Sequence, residues 1–301
     1  MPDLTSLLSQ SGILVADGAT GTMLQRAGLP RGVAPERWNL ENPQAVRELH
    51  RSYIQAGADV ILTNTFGGTR FRLEREGLQG QVEEINRRAA ELARQEAGDK
   101  IVVLGDIGPS GKLMKPYGPL TQAEAAEAFA EQAAGLAEGG ADALLVETMS
   151  DLNEVKAAVE GARRVTHQPI LVTLSFDTRG RTMLGTTPEE AATALSQMSL
   201  AGFGANCGRT LDETLDAIRK MRQAFPEAVL MAKPNAGLPR REPTSGSGGT
   251  ASGSTTVYDV TPEVMGEYAL KFTDLGVKIF GGCCGSTPDH IRAIAQALAG
   301  R

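Results

Sequence analysis

The sequence is short of cysteine, of long apolar runs and of basic charge. Its 301 residues include three cysteines, two of them adjacent, and this pattern is a poor basis for a disulfide framework. We therefore expect a reducing, cytoplasmic environment. No apolar run approaches the roughly 18 residues of a membrane-spanning helix, and the amino-terminal stretch lacks the basic and apolar segments of a secretory signal.

Aromatic residues and positive charge are too scarce for a nucleic-acid-binding surface. Aromatics make up 4% of the chain, and the formal net charge is −6. Nucleic acids and anionic membranes attract proteins with a basic face, so we expect neither as a partner. The 35 glycines, together with 41% hydrophobic and 22% charged residues, are instead typical of a tightly turned, soluble α/β protein.

Short, β-branched apolar segments alternate with amphipathic stretches along the whole chain. This is the pattern of parallel strands joined by helical crossovers. Eight such alternations predict a (β/α)₈ TIM barrel, a fold that needs roughly 250 residues, and we expect residues 1–301 to form one such domain. The predicted strands are Ile13–Ala16, Val60–Thr63, Ile101–Gly105, Ala143–Val146, Ile170–Leu174, Gly202–Ala205, Val229–Ala232 and Val277–Phe280.

A doubly wound open sheet is the alternative fold, because periodicity alone does not show that a barrel closes. That fold favours a G-x-G-x-x-G turn after the first strand, and Gly18-Ala19-Thr20-Gly21 lacks this spacing. Helix starts are marked by capping boxes at residues 121–124 and 187–190. These signals fit either fold, and the glycine spacing favours the barrel.

Two segments depart from the alternation. Residues 240–256 are rich in Gly, Ser and Thr and have no apolar periodicity, so we expect a mobile loop without regular structure after the seventh strand. Residues 4–9 precede the first strand, and we expect them to form a short helix that closes the floor of the barrel.

Polar residues at the carboxyl ends of the predicted strands are the candidates for function. In a barrel of this kind the chemistry lies on the loops that follow the strands. All three cysteines belong to this set, although Cys207 and Cys283 are far apart in the sequence. The set consists of Asp17, Asn64, Asp106, Glu147, Ser175, Asn206, Cys207, Asn235, Cys283 and Cys284.

The three cysteines form a pattern that suits a metal. Thiolates that meet at one rim are good ligands for zinc, a borderline-soft ion. Structural zinc sites have four protein ligands, whereas three leave the open position typical of a catalytic site. Flanking glycines let the backbone turn sharply enough for adjacent cysteines to reach one ion. We therefore predict a zinc site formed by Cys207, Cys283 and Cys284.

The residues alone leave other interpretations of the cysteines open. They are buried small hydrophobic residues, a vicinal disulfide between Cys283 and Cys284, or a nucleophilic cysteine paired with a histidine. His50 and His167 are predicted to lie away from the rim. His290 lies one turn into the helix after GGCCG, where it is a plain helix residue, a partner of a ligand or a fourth ligand.

Seven motifs lie at the predicted strand ends: DGATGT (17–22), TNTFGG (63–68), GDIGPSG (105–111), ETMSD (147–151), GANCG (204–208), PNAGLP (234–239) and GGCCG (281–285). Together they resemble the homocysteine S-methyltransferase family over nearly the whole chain. The stretches RWNLENPQAV and GPSGKLMKPYG look most like the amino-terminal, homocysteine-binding module of cobalamin-dependent methionine synthases. The insertion at 240–256 departs from the short connection expected in that family.

The resemblance implies a substrate as well as a ligand set. Zinc is then held by Cys207, Cys283 and Cys284, and the homocysteine sulfur takes the open position as the nucleophile for methyl transfer. The resemblance also suggests that the carboxylates of Asp17 and Glu147 bind the α-ammonium group of the substrate. Each is alternatively an ordinary turn residue or a structural ion-pair partner.

Further substrate contacts are expected from the same strand ends. A free amino acid needs N–H donors for its carboxylate, and the DGATGT turn offers the backbone amides of Gly18, Ala19 and Thr20. Asn206 is expected to orient the adjacent cysteine or to contact the substrate. Asn235 is expected to hold the open zinc position when no substrate is bound.

The motifs do not define the methyl donor, since the barrel uses the whole length and no cobalamin or folate module is evident. If the chain is a fragment of a methionine synthase, methylcobalamin on another domain donates the methyl group, beside a folate-binding domain. A standalone enzyme would use betaine or a methylsulfonium donor. We favour the interpretation that the chain is a fragment and that methylcobalamin on another domain is the donor. Two other classes stay open: a barrel hydrolase or aldolase, and a non-catalytic module that holds homocysteine or zinc.

Overall fold

The computed structural model describes residues 4–9, 12–243 and 254–299, and a ring of parallel strands forms its centre. The eight-stranded sheet has the order β1-β10-β7-β6-β5-β4-β3-β2, and a parallel bridge between Ala16 and Val60 joins its two ends. The predicted TIM barrel is therefore confirmed, and the doubly wound alternative is wrong. In chain order the strands are β1 (Leu14–Val15), β2 (Val60–Leu62), β3 (Val102–Ile107), β4 (Ala143–Met149), β5 (Ile170–Leu174), β6 (Gly202–Cys207), β7 (Leu230–Pro234), β8 (Pro239–Pro243), β9 (Ser254–Tyr258) and β10 (Val277–Phe280).

Four of the ring strands run further toward their carboxyl ends than the sequence predicts. Strand β3 continues to Ile107, β4 to Met149, β6 to Cys207 and β7 to Pro234. The pairing of β6 with β7 is regular to the end, with Asn206 opposite Lys233 and Cys207 opposite Pro234. Residues that we expected in loops are thus held in register by the sheet.

Amphipathic helices surround the ring and bury their apolar faces against it. Capping boxes open α7 and α9 as predicted. None of the described helices is long and apolar enough to cross a membrane. The helices are α1 (Leu4–Leu8), α2 (Thr20–Arg26), α3 (Trp38–Glu41), α4 (Pro43–Gln55), α5 (Arg70–Leu73), α6 (Val82–Ala97), α7 (Gln122–Glu138), α8 (Leu152–Val165), α9 (Pro188–Ser196), α10 (Leu211–Ala224), α11 (Pro262–Asp274) and α12 (Pro288–Leu298), with 3₁₀ turns at Pro35–Arg37 and Glu74–Glu76.

The amino-terminal helix α1 closes one end of the ring, as predicted. Leu4 and Leu8 are buried in a cluster with strand residues that include Val60, Leu104 and Ile279. These strand side chains point into the ring, because alternate residues of a strand face opposite sides. The floor of the barrel is therefore a packed apolar layer, and polar chemistry is confined to the opposite rim.

The segment 240–256 differs from the prediction at both of its ends. Residues 240–243 lie in β8 and residues 254–256 lie in β9, and these strands pair antiparallel from Pro239 opposite Tyr258 to Pro243 opposite Ser254. Residues 244–253 lie outside the described residues. The β-branched and aromatic run at 255–258 favours a strand, and the Gly/Ser/Thr composition of the whole segment obscured that local signal.

Candidate active site

The three cysteines meet at the carboxyl-terminal rim of the barrel. Cys207 ends β6, while Cys283 and Cys284 follow β10, and both strands flank β7. Their sulfur atoms all lie within 4.8 Å of one another. Backbone hydrogen bonds to β7 hold the loop, since Cys283 N–H donates to the Pro234 carbonyl at 2.8 Å. The three sulfurs are close enough to hold one metal ion.

The alternatives for the cysteines are not supported by this geometry. All three are free thiols, and all three line a cavity, which a buried packing residue would not do. In the described part of the chain, the metal-binding group contains no histidine. His290 instead bonds to Thr287 and to the Val260 carbonyl at the start of α12, so its role is structural.

Hydrogen bonds within the cluster set the protonation of the sulfurs. Cys283 and Cys284 hydrogen-bond to the sulfur of Cys207 and lower the pKa of Cys207 to about 3, with a smaller contribution from Asn235. The same contact with Cys207 raises the pKa of Cys283 to about 11 and raises that of Cys284 as well. The proximity of the three sulfurs thus shifts the pKa of Cys207 and the pKa values of Cys283 and Cys284 in opposite directions.

Asn235 connects two of the cysteines. Its Nδ2 donates to the Cys207 sulfur at 3.4 Å and to the Gly208 carbonyl at 2.6 Å, and its Oδ1 accepts from Cys284 N–H at 3.0 Å. This differs from the predicted role of Asn235 at the open metal position, because its oxygen is engaged by the backbone. Asn235 lies outside the cavity lining and orients Cys207 and Cys284 through these hydrogen bonds.

Asn206 is likewise turned away from the cavity. Its Oδ1 accepts from the Thr148 N–H at 2.9 Å and from the Thr173 hydroxyl at 2.8 Å. Its Nδ2 donates to the Thr148 hydroxyl at 2.7 Å and lies 3.9 Å from the Cys283 sulfur. Of the two roles predicted for Asn206, the geometry favours orientation, but of Thr148 and Cys283 rather than of Cys207.

A cavity of about 830 Å³ opens beside the cysteines. It is bounded by the loops after β1 and β2, by the ends of β3 and β4 and by the hairpin strand β9. Of the seven predicted substrate residues, Gly18, Ala19, Thr20 and Glu147 line it. Asp17, Asn206 and Asn235 are not part of its lining, and their contact with the substrate stays a prediction.

Asp17 forms a buried ion pair that sequence reasoning did not foresee. Its Oδ1 accepts from Lys233 Nζ at 2.9 Å, its Oδ2 accepts from Leu62 N–H at 2.8 Å, and both charged side chains are 2% exposed. Burial raises the pKa of Asp17, and Lys233 offsets part of that rise. The carboxylate we assigned to the substrate's ammonium group is therefore occupied by a lysine of this chain.

Lys233 lines the cavity that Asp17 does not reach. Burial disfavours its charged form, yet the carboxylates of Asp17 and Glu147 outweigh that effect and raise the pKa of Lys233. The signal was present in the sequence, since a lysine directly after the apolar run Val229–Ala232 is costly to bury without a partner. We read the strand as ending before it.

Two further carboxylates line the cavity without a full set of partners. Asp106 Oδ1 and Glu147 Oε2 are buried and have no hydrogen-bond partner among the described residues. Burial raises the pKa of Glu147 to about 8, against the opposing charge of Lys233. Burial and the charge of Glu147 raise the pKa of Asp106 well above its usual range. Three carboxylates thus surround one lysine, an arrangement that can bind a further cation.

The turn after β1 is tightly packed, and one of its predicted amide donors is engaged. Ala19 N–H donates to the Ser286 carbonyl at 3.0 Å, so it is not free to bind a substrate carboxylate in this arrangement of the turn. The Tyr53 hydroxyl lies 2.9 Å from the Ala19 carbonyl and 3.0 Å from that of Ser286. A Cβ on Gly18 would lie 2.8 Å from both the Ser286 oxygen and the Tyr53 hydroxyl, which explains the glycine.

Tyr258, at the end of β9, brings the hairpin to the cysteines. It lines the cavity, and its ring lies where a Cβ on Gly285 would be, so only glycine fits there. Burial and the charges of Cys284 and Cys283 raise the pKa of Tyr258 to about 12. Sequence reasoning missed this residue because it predicted no strand at the end of the Gly/Ser/Thr-rich segment.

Comparison with known proteins agrees with the motifs. The model of the homocysteine S-methyltransferase family matches residues 14–298. This chain belongs to the homocysteine S-methyltransferase family. The methionine synthases of Mycobacterium tuberculosis and Mycobacterium leprae are each 35% identical to it over 99% of its length. That alignment covers 25% of each relative, so the chain spans about a quarter of their length.

Solved structures share the fold with this member of the family. The metallated homocysteine methyltransferase MmuM of Escherichia coli superposes with a TM-score of 0.78 at 23% identity, covering 98% of this chain and 99% of that one. A methyltransferase from Methanosarcina mazei gives a TM-score of 0.61 at 12% identity, with 99% and 97% covered. At these identities the likeness concerns the architecture alone.

Proposed function

We propose that this chain transfers a methyl group to the sulfur of homocysteine, giving methionine, with a zinc ion held by Cys207, Cys283 and Cys284. The observation that carries the proposal is the convergence of three sulfurs within 4.8 Å at one end of a cavity. Membership of the homocysteine S-methyltransferase family supports the substrate. The metallated form of the Escherichia coli enzyme supports a metal at this kind of site.

The donor set fits zinc. Thiolates suit this ion, and three protein ligands are the number typical of catalytic rather than structural zinc sites. When bound, zinc favours the deprotonated, nucleophilic form of a thiol at neutral pH. Asn235, which bonds to the Cys207 sulfur and to Cys284 N–H, fixes the ligands as outer hydrogen bonds do in other metal sites.

The carboxylates at the cavity floor suit an amino-acid substrate. Glu147 and Asp106 present unpartnered oxygens, and we assign the α-ammonium group to them because a cation beside them favours the charged forms that burial disfavours. Asp17 retains a role through Lys233, which it holds at the cavity wall. For the substrate carboxylate we retain the amides of Gly18 and Thr20, which line the cavity, and exclude that of Ala19.

For the methyl donor we retain methylcobalamin carried by another domain. The support is that the related methionine synthases are about four times as long as the matched region. A longer chain has room for cobalamin- and folate-binding domains. In the transfer, the bond between the methyl carbon and its donor breaks as the bond to the substrate sulfur forms. The sulfur has lost its proton to solvent, and the electron pair stays with the donor.

Metal content and methyl transfer test the proposal together. Purified protein should contain one zinc per chain and form methionine from homocysteine and free methylcobalamin. Cys207→Ser and Cys283→Ser should lose both the metal and the activity. Met183→Ser, at a residue that is 60% exposed and outside the cavity lining, serves as the control. Full methyl-transfer activity in a cysteine variant, or a protein that forms no methionine at all, as a hydrolase or aldolase would behave, would overturn the proposal.

A further inference from the structure

Four arginines line the cavity on the side of the β1 and β2 loops: Arg26, Arg31, Arg72 and Arg75. Arg31 already has an interaction within the chain. Arg26 belongs to α2, Arg72 to α5 and Arg75 to the 3₁₀ turn after α5. Arg26 and Arg75 are exposed, and Arg72 is half-buried. We call Arg26, Arg72 and Arg75 the arginine rim. It stands out because the chain as a whole carries a formal net charge of −6.

The charges of the arginine rim are not used by ion pairs. None of its three members has a carboxylate within ion-pair distance among residues 4–9, 12–243 and 254–299, whereas Arg37, Arg47 and Arg70 each have at least one. The guanidinium charges of the rim are therefore not neutralised by a paired carboxylate in the described part of the chain.

Arg72 is also held in place. Its Nε donates to the Pro109 carbonyl at 3.1 Å, its guanidinium carbon lies 5.7 Å from the centre of the Phe66 ring, and the backbone at Gly111 packs against its side chain. A guanidinium group that is already stacked and hydrogen-bonded loses little freedom when it binds an anion. The remaining donors of Arg72 are thus preorganised.

The acidic groups on this side of the cavity do not cancel the rim. Glu36 and Glu76 are its carboxylates. Glu36 accepts from Gly67 N–H at 2.5 Å, and burial raises the pKa of Glu36, which favours its neutral form. Glu76 pairs with Arg37 at 3.4 Å. The rim therefore keeps a positive charge.

The cavity is larger than a thiol amino acid requires. Pockets of roughly 300–1,000 Å³ hold drug-sized ligands, and this one has about 830 Å³. Homocysteine between the cysteines and Glu147 would leave the space beside the rim empty. Because methyl transfer needs a second molecule next to the substrate sulfur, that space is where the donor must lie.

We propose that the arginine rim binds an oxyanion group of the methyl donor, a phosphate or a carboxylate, remote from the methyl group. This inference rests on the proposed function. Guanidinium groups bind both oxyanions through paired hydrogen bonds. The rim takes no part in bond making; it positions the donor, and it repels donors whose net charge is positive, such as a methylsulfonium amino acid.

Titration calorimetry at low ionic strength tests the site directly, with pyrophosphate as the phosphate probe and citrate as the carboxylate probe. At least one should bind the wild-type protein, and the better binder identifies the group. Arg72→Gln/Arg75→Gln should weaken that binding at least tenfold. Arg75→Gln alone, at an exposed position, should weaken it severalfold, so a folding defect at Arg72 would not hide the effect. Arg219→Gln, an exposed arginine of α10 outside the cavity lining, should change nothing.

Homocysteine binding and kinetics provide the second readout. The arginine variants should raise KM for methylcobalamin about tenfold and leave the affinity for homocysteine unchanged. The inference is overturned if neither anion binds, or if both bind equally well to the double variant. If the anion binds through the arginines but homocysteine does not bind at all, the anion site is confirmed and the proposed function is contradicted.

Discussion

Asn206 holds Thr148 with both ends of its amide, accepting from the Thr148 N–H and donating to the Thr148 hydroxyl. Thr148 has φ 61°, in the left-handed region that β-branched residues rarely adopt. Cys207, next to Asn206, has the same φ of 61°. Such strain persists where surrounding contacts fix it, commonly at functional sites. The ends of β4 and β6 are thus coupled through one side chain beside the sulfur cluster.

We predict that Asn206→Ala lowers the free energy of unfolding by about 1–3 kcal/mol, because it leaves the half-buried Thr148 N–H and the buried Thr173 hydroxyl without their acceptor. Urea unfolding measures the change. In a Thr148→Gly background the same substitution should cost less, since glycine adopts the left-handed conformation without strain. An equal cost in both backgrounds would show that the two residues are not coupled.

The ion pair between Asp17 and Lys233 should be strongly cooperative. Lys233→Met removes the cation and leaves a buried carboxylate, which we expect to cost about 3–5 kcal/mol of unfolding free energy. The double variant Asp17→Asn/Lys233→Met should recover most of that loss, because the carboxylate that bonds to Lys233 is removed together with the lysine. Denaturant titration of the two single variants and the double variant completes the cycle. Additive losses would contradict the pairing.

His50 should make stability depend on pH. It is buried in α4, neither ring nitrogen has a partner among the described residues, and burial lowers the pKa of His50 to about 4, against a weaker opposing effect of Glu96. The unfolded chain, with a pKa near 6.5, takes up the proton first as pH falls. Protonation of His50 therefore does not affect the free energy of unfolding above pH 6.5. Between pH 6.5 and 4 it lowers that free energy by about 1.4 kcal/mol per pH unit as the pH falls.

A substitution isolates this effect from other titrating groups. His50→Leu should be at least as stable as the wild type at pH 5, and the difference between the two proteins should shrink or reverse at pH 7.5. Unfolding free energies at both pH values provide the measurement. A difference that does not change with pH would rule out His50 as the source.

The assignment of the ammonium group to Asp106 and Glu147 predicts a selective loss of affinity. Asp106→Asn and Glu147→Gln should each weaken homocysteine binding about 10- to 100-fold, as expected for a lost charge-assisted hydrogen bond of about 1.5–3 kcal/mol. Binding of 4-mercaptobutyrate, which has the thiol and the carboxylate but no ammonium group, should hardly change. Equal losses for both ligands would argue against the assignment.

The sequence predicted the parts of the site that depend on strand ends. Strand-and-helix alternation placed Cys207 and Cys283 on one rim, and the closed sheet brings their sulfurs together. It could not predict that Lys233 would pair with the carboxylate of Asp17, because this pairing joins β7 to the turn after β1, and these two strands are separated by β10. Strand order shows which residues share a rim, but not which of them pair.

The hairpin of β8 and β9 shows a second limit of the sequence. The Gly/Ser/Thr-rich composition of residues 240–256 suggested a loop because conformational freedom dominates such a segment. The pairing between Pro239 and Tyr258 outweighs that tendency at its ends. Tyr258 then reaches the cavity, a contact for which composition gives no signal.

X-ray absorption at the zinc edge, with and without homocysteine, tests the central claim most directly. We predict a shell of three protein sulfurs in the free protein that becomes four sulfurs when homocysteine is added, with no change on addition of homoserine, which lacks the thiol. A four-sulfur shell before substrate is added, or a three-sulfur shell that homocysteine leaves unaltered, would contradict the account.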